Sequence, residues 1–259
     1  MNHWIVPDWP APARVRAVFT TRAGGVSAAP YDALNLGDHV GDALADVQAN
    51  RARLASEIAA QPVFLQQVHG QVVAHLTGPT TEPLVADASF TTQPGIACTA
   101  MVADCLPVLF TDTQGTVVAA AHAGWRGLLG VDGQGVLEAT YKKIRALAHI
   151  PSAQAATEII AWLGPCIGPT AFEVGPEVPA AFIAQQPGAA ALFVPHGAGK
   201  WLANLPGLAR LRLQALGLRG IYGNDGSPEW CTVSHPSRFF SYRRSGVCGR
   251  MAACIWLQG

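Results

Sequence analysis

Charge is scarce in this chain. Only 13% of its 259 residues are charged, and Lys+Arg and Asp+Glu tie at 17 each. A neutral chain carries no electrostatic footprint for a nucleic-acid backbone or an anionic membrane, so neither is an expected partner. No apolar run approaches the ~20 residues that span a bilayer. The start, from Met1 to Pro10, lacks the basic-then-apolar order of a secretory signal, so a cytoplasmic protein is expected. There is no 20–50-residue repeat and no low-complexity linker, which favours one domain over residues 1–259. None of the six cysteines forms a Cys-x-x-Cys pair, which removes local zinc-ribbon and thioredoxin readings. Without a secretory signal they read as thiols or metal ligands rather than a disulfide frame.

What the chain does have is hydrophobicity, at 50% of residues, and short apolar runs of strand length. Val15 to Thr20 reads as a strand. Asp42 to Ala60 reads as a helix because Val47, Leu54 and Ile58 share one face. Strands are expected at 63–65, 71–76, 96–103, 107–110, 116–121 and 159–163. Leu137, Tyr141, Ile144 and Leu147 recur at helical spacing, which gives an amphipathic helix over 134–148. A further helix is expected from Lys200 to Leu216, kinked or split at Pro206. Phe239 to Tyr242 and Met251 to Leu257 read as a hairpin with Arg243-Arg244-Ser245-Gly246 at its tip. Strands and helices mix without regular alternation, so the expected fold is α/β (α+β), a layered sandwich with a mixed sheet and flanking helices.

Three segments share a pattern in which an apolar strand ends in a metal-capable side chain beside a turn: Gln67-Val68-His69-Gly70, Val102-Ala103-Asp104-Cys105-Leu106, and Ala121-His122-Ala123-Gly124-Trp125. Strand ends converge across a sheet from distant parts of a sequence. Two imidazoles and a thiolate would make a zinc site with a vacant fourth position. The same residues could be buried core histidines and an inert thiol. Asp104 could serve with Cys105 only if the strand ends or bulges between them, because neighbours in a regular strand face opposite sides.

Those motifs, with Thr21-Arg22-Ala23-Gly24-Gly25, Tyr31 to Gly37, Gly164-Pro165-Cys166-Ile167-Gly168 and Ser241-Tyr242-Arg243-Arg244, resemble the YfiH family. It includes bacterial purine nucleoside phosphorylases, laccase-domain proteins and the peptidoglycan editing factor. The resemblance runs from about Ile5 to Leu257. It implies a single α/β domain, zinc held by His69, Cys105 and His122, and phosphorolysis of adenosine, inosine and methylthioadenosine, with adenosine deamination as a further activity. The segment Leu128 to Gly135 looks a few residues longer than is usual, which affects the start of the next helix.

On this reading purine nucleosides and phosphate are the partners, and the chain is a monomer or weak homo-oligomer. Arg22, Asn35, Arg126 and Arg243 are candidate substrate contacts, the arginines as anion holders. Glu173 is the candidate proton donor to a leaving purine. Copper oxidation is rejected as the main function, because the eight histidines include no His-x-His pair and a blue-copper set would need an axial Met from a chain with three methionines. The zinc-deaminase signature of His-x-Glu with Pro-Cys-x-x-Cys is also missing. The alternative is an amide hydrolase that edits peptidoglycan precursors, either metal-assisted or with Cys105 as nucleophile and His122 or His69 as base.

Overall fold

A computed structural model describes residues 4–78, 84–148 and 158–259. In chain order the elements begin with β1 (Val15–Phe19), α1 (Leu44–Ile58), β2 (Gln61–Val63), β3 (Val73–His75), β4 (Ala88–Thr91), β5 (Ile96–Val102), β6 (Leu106–Asp112) and β7 (Val118–Ala123). There follow α2 (Trp125–Leu129), α3 (Val136–Leu147), β8 (Ile159–Leu163), β9 (Glu173–Val174), α4 (Glu177–Gln185), β10 (Phe193–His196) and β11 (Lys200–Ala203). The chain ends with α5 (Leu205–Ala215), β12 (Gly220–Gly223), α6 (Tyr242–Ser245) and β13 (Met251–Leu257).

Two sheets stack face to face. One has the order β1-β13-β5-β2 and the other β12-β8-β6-β7-β4-β3, each mixing parallel and antiparallel pairs; β10-β11-β9 form a small third sheet. The residues of β5, β6, β7, β8 and β13 are all buried, which explains why these strands read as continuous apolar runs without alternation. Phe19, Val102 and Ile255 of the first sheet meet Leu109, Val118 and Trp162 of the second. On the far side of the second sheet, Val108, Phe110 and Ala119 pack against Leu137, Tyr141 and Ile144 of α3 and Leu208 and Leu213 of α5. On the far side of the first, Leu54 and Ile58 of α1 cover Ala97, Cys254 and Trp256. The result is helix, sheet, sheet, helix, a mixed α/β sandwich as expected. Each fully buried large apolar side chain contributes about 1.5–3 kcal/mol. A buried ion pair, Arg212 Nε to Glu138 at 2.7 Å, ties α5 to α3.

Three expectations need correction. Lys200–Ala203 is a strand, and the helix starts at Leu205, where Asn204 accepts the Gly207 N–H at 2.9 Å. Pro206 therefore sits in the first turn, where its missing N–H costs nothing and no kink arises. The C-terminal hairpin does not form. β13 pairs with β1 and β5, and Tyr242–Ser245 is a helical turn capped by Ser241, whose hydroxyl accepts the Arg244 N–H. The long link after α2 closes on itself at Gly130, with φ 62°, where a Cβ would meet Gln134 O at 2.0 Å. The next helix consequently begins at Val136, with Glu138 accepting the Gly135 N–H at 2.8 Å.

Candidate metal centre and active site

The ends of β5, β6 and β7 meet the turn that follows β2. Gln67 in that turn uses its side-chain amide as a substitute strand, donating to Met101 O and accepting Met101 N–H, both at 2.8 Å. This pins His69, which has a left-handed φ of 60°, beside the last residues of β5. Cys105 lies in the tight β5–β6 connection, and His122 stands in β7 opposite Pro107. The donor atoms of His69, Cys105 and His122 all lie within 4.8 Å of one another, with Cys105 Sγ 3.7 Å from His69 Nε2. His122 is buried, Cys105 half-buried and His69 exposed, so the cluster opens to solvent on one side. Gly124 lets these side chains approach closely, since a Cβ would stand 2.6 Å from His69 Cδ2 and 3.1 Å from Cys105 Sγ.

Asp87 organises both histidines and was missed in the sequence. Its carboxylate accepts the N–H groups of Val68, His69 and Gly70 at 3.2, 2.8 and 2.6 Å and pairs with His122 Nδ1 at 2.9 Å. The only local signal is an acid placed just before the apolar strand β4. Burial pushes the Asp87 carboxyl up, but His122 and the Gly70 and Val68 N–H groups outweigh it and hold it below the ordinary value. With Nδ1 engaged, the Nε2 of His122 is the nitrogen left for a ligand, which is how outer-shell carboxylates fix the tautomer of metal-binding histidines. For the Cys105 thiol burial again opposes ionisation, yet the charge of His122 and hydrogen bonds from both histidines bring it down to about 6. Burial likewise opposes charge on His122, while Cys105 and Asp87 raise it to about 9. The lowered thiol and raised imidazole each favour charge on the other, and a metal bound at His122 Nε2 would displace a proton from it.

Two clefts share this cluster. The larger, about 370 Å³, is lined by His39, Gln67, Met101, Tyr242 and Arg250 together with His69, Cys105 and His122. The smaller, about 160 Å³, lies between Trp125, Arg126, Phe172, Tyr242 and Arg243, again beside His69 and Cys105. Arg126 stacks over Trp125 at 4.3 Å and Arg243 over Phe172 at 5.7 Å. Two of the expected substrate contacts thus reach the cluster. The other candidates lie elsewhere. Arg22 pairs with Asp32 at 3.0 Å, donates to Asp32 O and Pro236 O, and lines neither cleft. Asn35 is fully buried, and its amide bonds Gly37, Asp42 and Arg250 N–H. Glu173 faces His196 at 3.7 Å and also lines neither cleft. Arg22 and Asn35 lie within the motifs that carry the family resemblance and Glu173 is an acid of suitable chemistry, yet none of the three lines either cleft. His39 and Arg250 went unnoticed as wall residues because nothing local marks them, and Tyr242, though within a motif, offers no charge or metal-binding atom that would single it out.

Residues 16–258 match the family described as multi-copper polyphenol oxidoreductase laccase. The chain is 50% identical to the purine nucleoside phosphorylase YfiH of Escherichia coli strain K12, over 99% of this chain and 100% of that one. It is 45% identical to a purine nucleoside phosphorylase of Haemophilus influenzae, over 98% and 99% of the two chains. The crystal structure of a Neisseria meningitidis protein, 46% identical, superposes with a TM-score of 0.88 over 99% of both chains. With sequence match and fold in agreement, this chain belongs to the laccase-like YfiH family.

Proposed function

We propose that this chain is a zinc-dependent purine nucleoside phosphorylase of the cytoplasm, acting on adenosine, inosine and methylthioadenosine, with adenosine deamination as a further activity. The observation that carries the proposal is the convergence of His69, Cys105 and His122 at the junction of two clefts, one of them flanked by Arg126 and Arg243. The relatives named as purine nucleoside phosphorylases support it. The donors suit zinc. Bond lengths of about 2.3 Å to sulfur and 2.0–2.1 Å to nitrogen at tetrahedral angles put sulfur and nitrogen about 3.6 Å apart, against the 3.7 Å between Cys105 and His69. One thiolate with two imidazoles is the only such cluster among the described residues, a donor set far smaller than several coppers demand.

Zinc held here would supply Lewis-acid activation of an oxygen, chemistry that suits deamination more directly than phosphorolysis. The chain's own residues do the remaining work. Arg126 and Arg243 hold phosphate as an anion by paired N–H donors and place it beside the ribose. The rings of Trp125, Phe172 and Tyr242 offer flat apolar faces to a nucleoside and exclude water. His122, fixed by Asp87, keeps its free nitrogen toward the cluster.

Adenosine incubated with phosphate should yield adenine and ribose 1-phosphate by chromatography, and inosine should appear if deamination accompanies it. Free ribose formed at the same rate without phosphate would refute phosphorolysis. A second reading, the amide hydrolase, draws on the Cys105–His122–Asp87 relay with its lowered thiol, the arrangement of a nucleophile, base and orienting acid. Release of an amino acid from a muropeptide precursor, with no nucleoside turnover, would favour it.

A further inference from the structure

Asp104 adopts a left-handed backbone with φ 92°, a region that non-glycine residues other than Asn and Asp seldom occupy. β5 has ended at Val102 and β6 begins at Leu106, so Asp104 and Cys105 are freed from strand alternation. The carboxylate that would otherwise lie beside Cys105 as a base is instead bound into the protein and is 9% exposed. Oδ1 accepts the Thr232 hydroxyl at 2.6 Å and Oδ2 the Arg243 N–H at 2.7 Å, while the Asp104 carbonyl accepts the Ile167 N–H at 2.9 Å. These donors come from three segments distant in sequence. The Arg243 N–H belongs to the first turn of α6, where backbone donors have no partner within the helix. The other end of that arm is closed by Arg244, whose guanidinium donates to Thr232 O, Val233 O and Phe239 O. Tyr242, immediately before Arg243 and 60% exposed, lines both clefts.

We propose that Asp104 is a positioning residue, whose carboxylate clamps the Tyr242–Arg243 arm against the turn carrying Cys105 and so sets the shape of both clefts without exchanging a proton with substrate. A charged acceptor bound by two donors gives a more rigid clamp than neutral hydrogen bonds would. The part of the inference that concerns substrate rests on the nucleoside reading; the clamp itself does not.

Two substitutions separate the possibilities. Asp104→Gly tolerates the left-handed backbone but has no carboxylate to hold the arm. Asp104→Asn also tolerates that backbone, and its amide can accept from Arg243 N–H and donate to the Thr232 hydroxyl, so it rescues a clamp but not a proton carrier. Limited trypsin digestion reads the arm directly, because Arg243 and Arg244 lie within it. Losing hydrogen bonds to a charged group should speed cleavage at those bonds at least about 10-fold in Asp104→Gly, with Asp104→Asn within about 3-fold of the unmodified protein. With adenosine and phosphate as substrates, KM in Asp104→Gly should rise at least about 10-fold with kcat changed less than about 3-fold, and Asp104→Asn should restore KM. An unaltered trypsin rate in Asp104→Gly overturns the clamp. An Asp104→Asn protein as inactive as Asp104→Gly, with kcat lost and KM intact, overturns it in favour of proton transfer. Should Asp104→Gly not fold, Thr232→Val removes one anchor alone and must accelerate cleavage at the same bonds, or the proposal fails. If the unmodified protein turns over no nucleoside, the functional reading falls while digestion still decides the clamp.

Discussion

Gly124→Ala tests the metal centre with a single methyl group. The new Cβ would stand 2.6 Å from His69 Cδ2 and 3.1 Å from Cys105 Sγ. Carbon atoms in contact prefer about 3.5–4.0 Å, so His69 must retreat by about 1 Å. His69 is exposed and can swing outward, and the metal-free fold should therefore lose little, at the low end of the about 1–3 kcal/mol typical of overpacking. In a chain this long that is a fall of about 2–4 °C in Tm. A metal site is far less forgiving, because ligand distances are held to about 0.2 Å. Displacing a ligand should cost at least as much as removing an outer-shell partner, hence a loss of zinc affinity of about 10- to 100-fold or more, equivalent to about 1.4–2.8 kcal/mol. Competition against a chromophoric chelator measures the affinity, with Tm of the metal-free protein recorded alongside. Gly78→Ala is the control, since a Cβ there meets nothing within 4 Å. Wild-type affinity in Gly124→Ala, or an equal loss in Gly78→Ala, would refute the reasoning.

Cys105→Ala should strip most of the zinc from purified protein, as read by elemental analysis, and full metal content would remove Cys105 from the ligand set. Asp87→Asn should lower both zinc affinity, about 10- to 100-fold, and the thermal stability of the metal-free protein, because His122 and the three N–H groups lose a charged partner. The Cys105 thiol lies below its ordinary value, so its contribution to metal-free stability is lost as pH falls through about 6. His122 lies above its ordinary 6.5, so its contribution is present below that and lost as pH rises through about 9. Between about pH 6.5 and 9 these two trends oppose and offset each other, so the pair's share of metal-free stability in denaturant unfolding should be nearly flat across that range, and a steep slope there that disappears in Cys105→Ala would contradict the opposed shifts of Cys105 and His122. Alkylation of metal-free protein at pH 7 should modify Cys105 first. Cys98 is pushed up to about 12 by burial, Cys254 is also raised, and Cys166, Cys231 and Cys248 are buried. Replacing any of these five should leave turnover intact, and a loss at Cys166 equal to that at Cys105 would place it in the site.

Local chemistry decided much of this protein before it folded. Apolar runs of strand length marked β5 to β8, the 3.6-residue spacing of Leu137, Tyr141 and Ile144 marked α3, and turn residues flanked the three candidate ligands. Each of these depends on neighbours within a few positions, so a sequence can state it. The convergence of His69, Cys105 and His122 depends on β6 and β7 being adjacent and on β2 pairing with β5, and no local pattern encodes such long-range pairing. The same holds for Asp87, which reaches His122 only because β4 lies beside β7, and for β13, which leaves its expected hairpin partner to fill the gap between β1 and β5. Arg22, Asn35 and Glu173 show the converse. Their residue types suited the chemistry, but Arg22 and Asn35 are committed to hydrogen bonds within the protein, Glu173 faces His196, and none of them lines either cleft. Sequence supplies side chains and local geometry, whereas burial in two stacked sheets selects which of them meet.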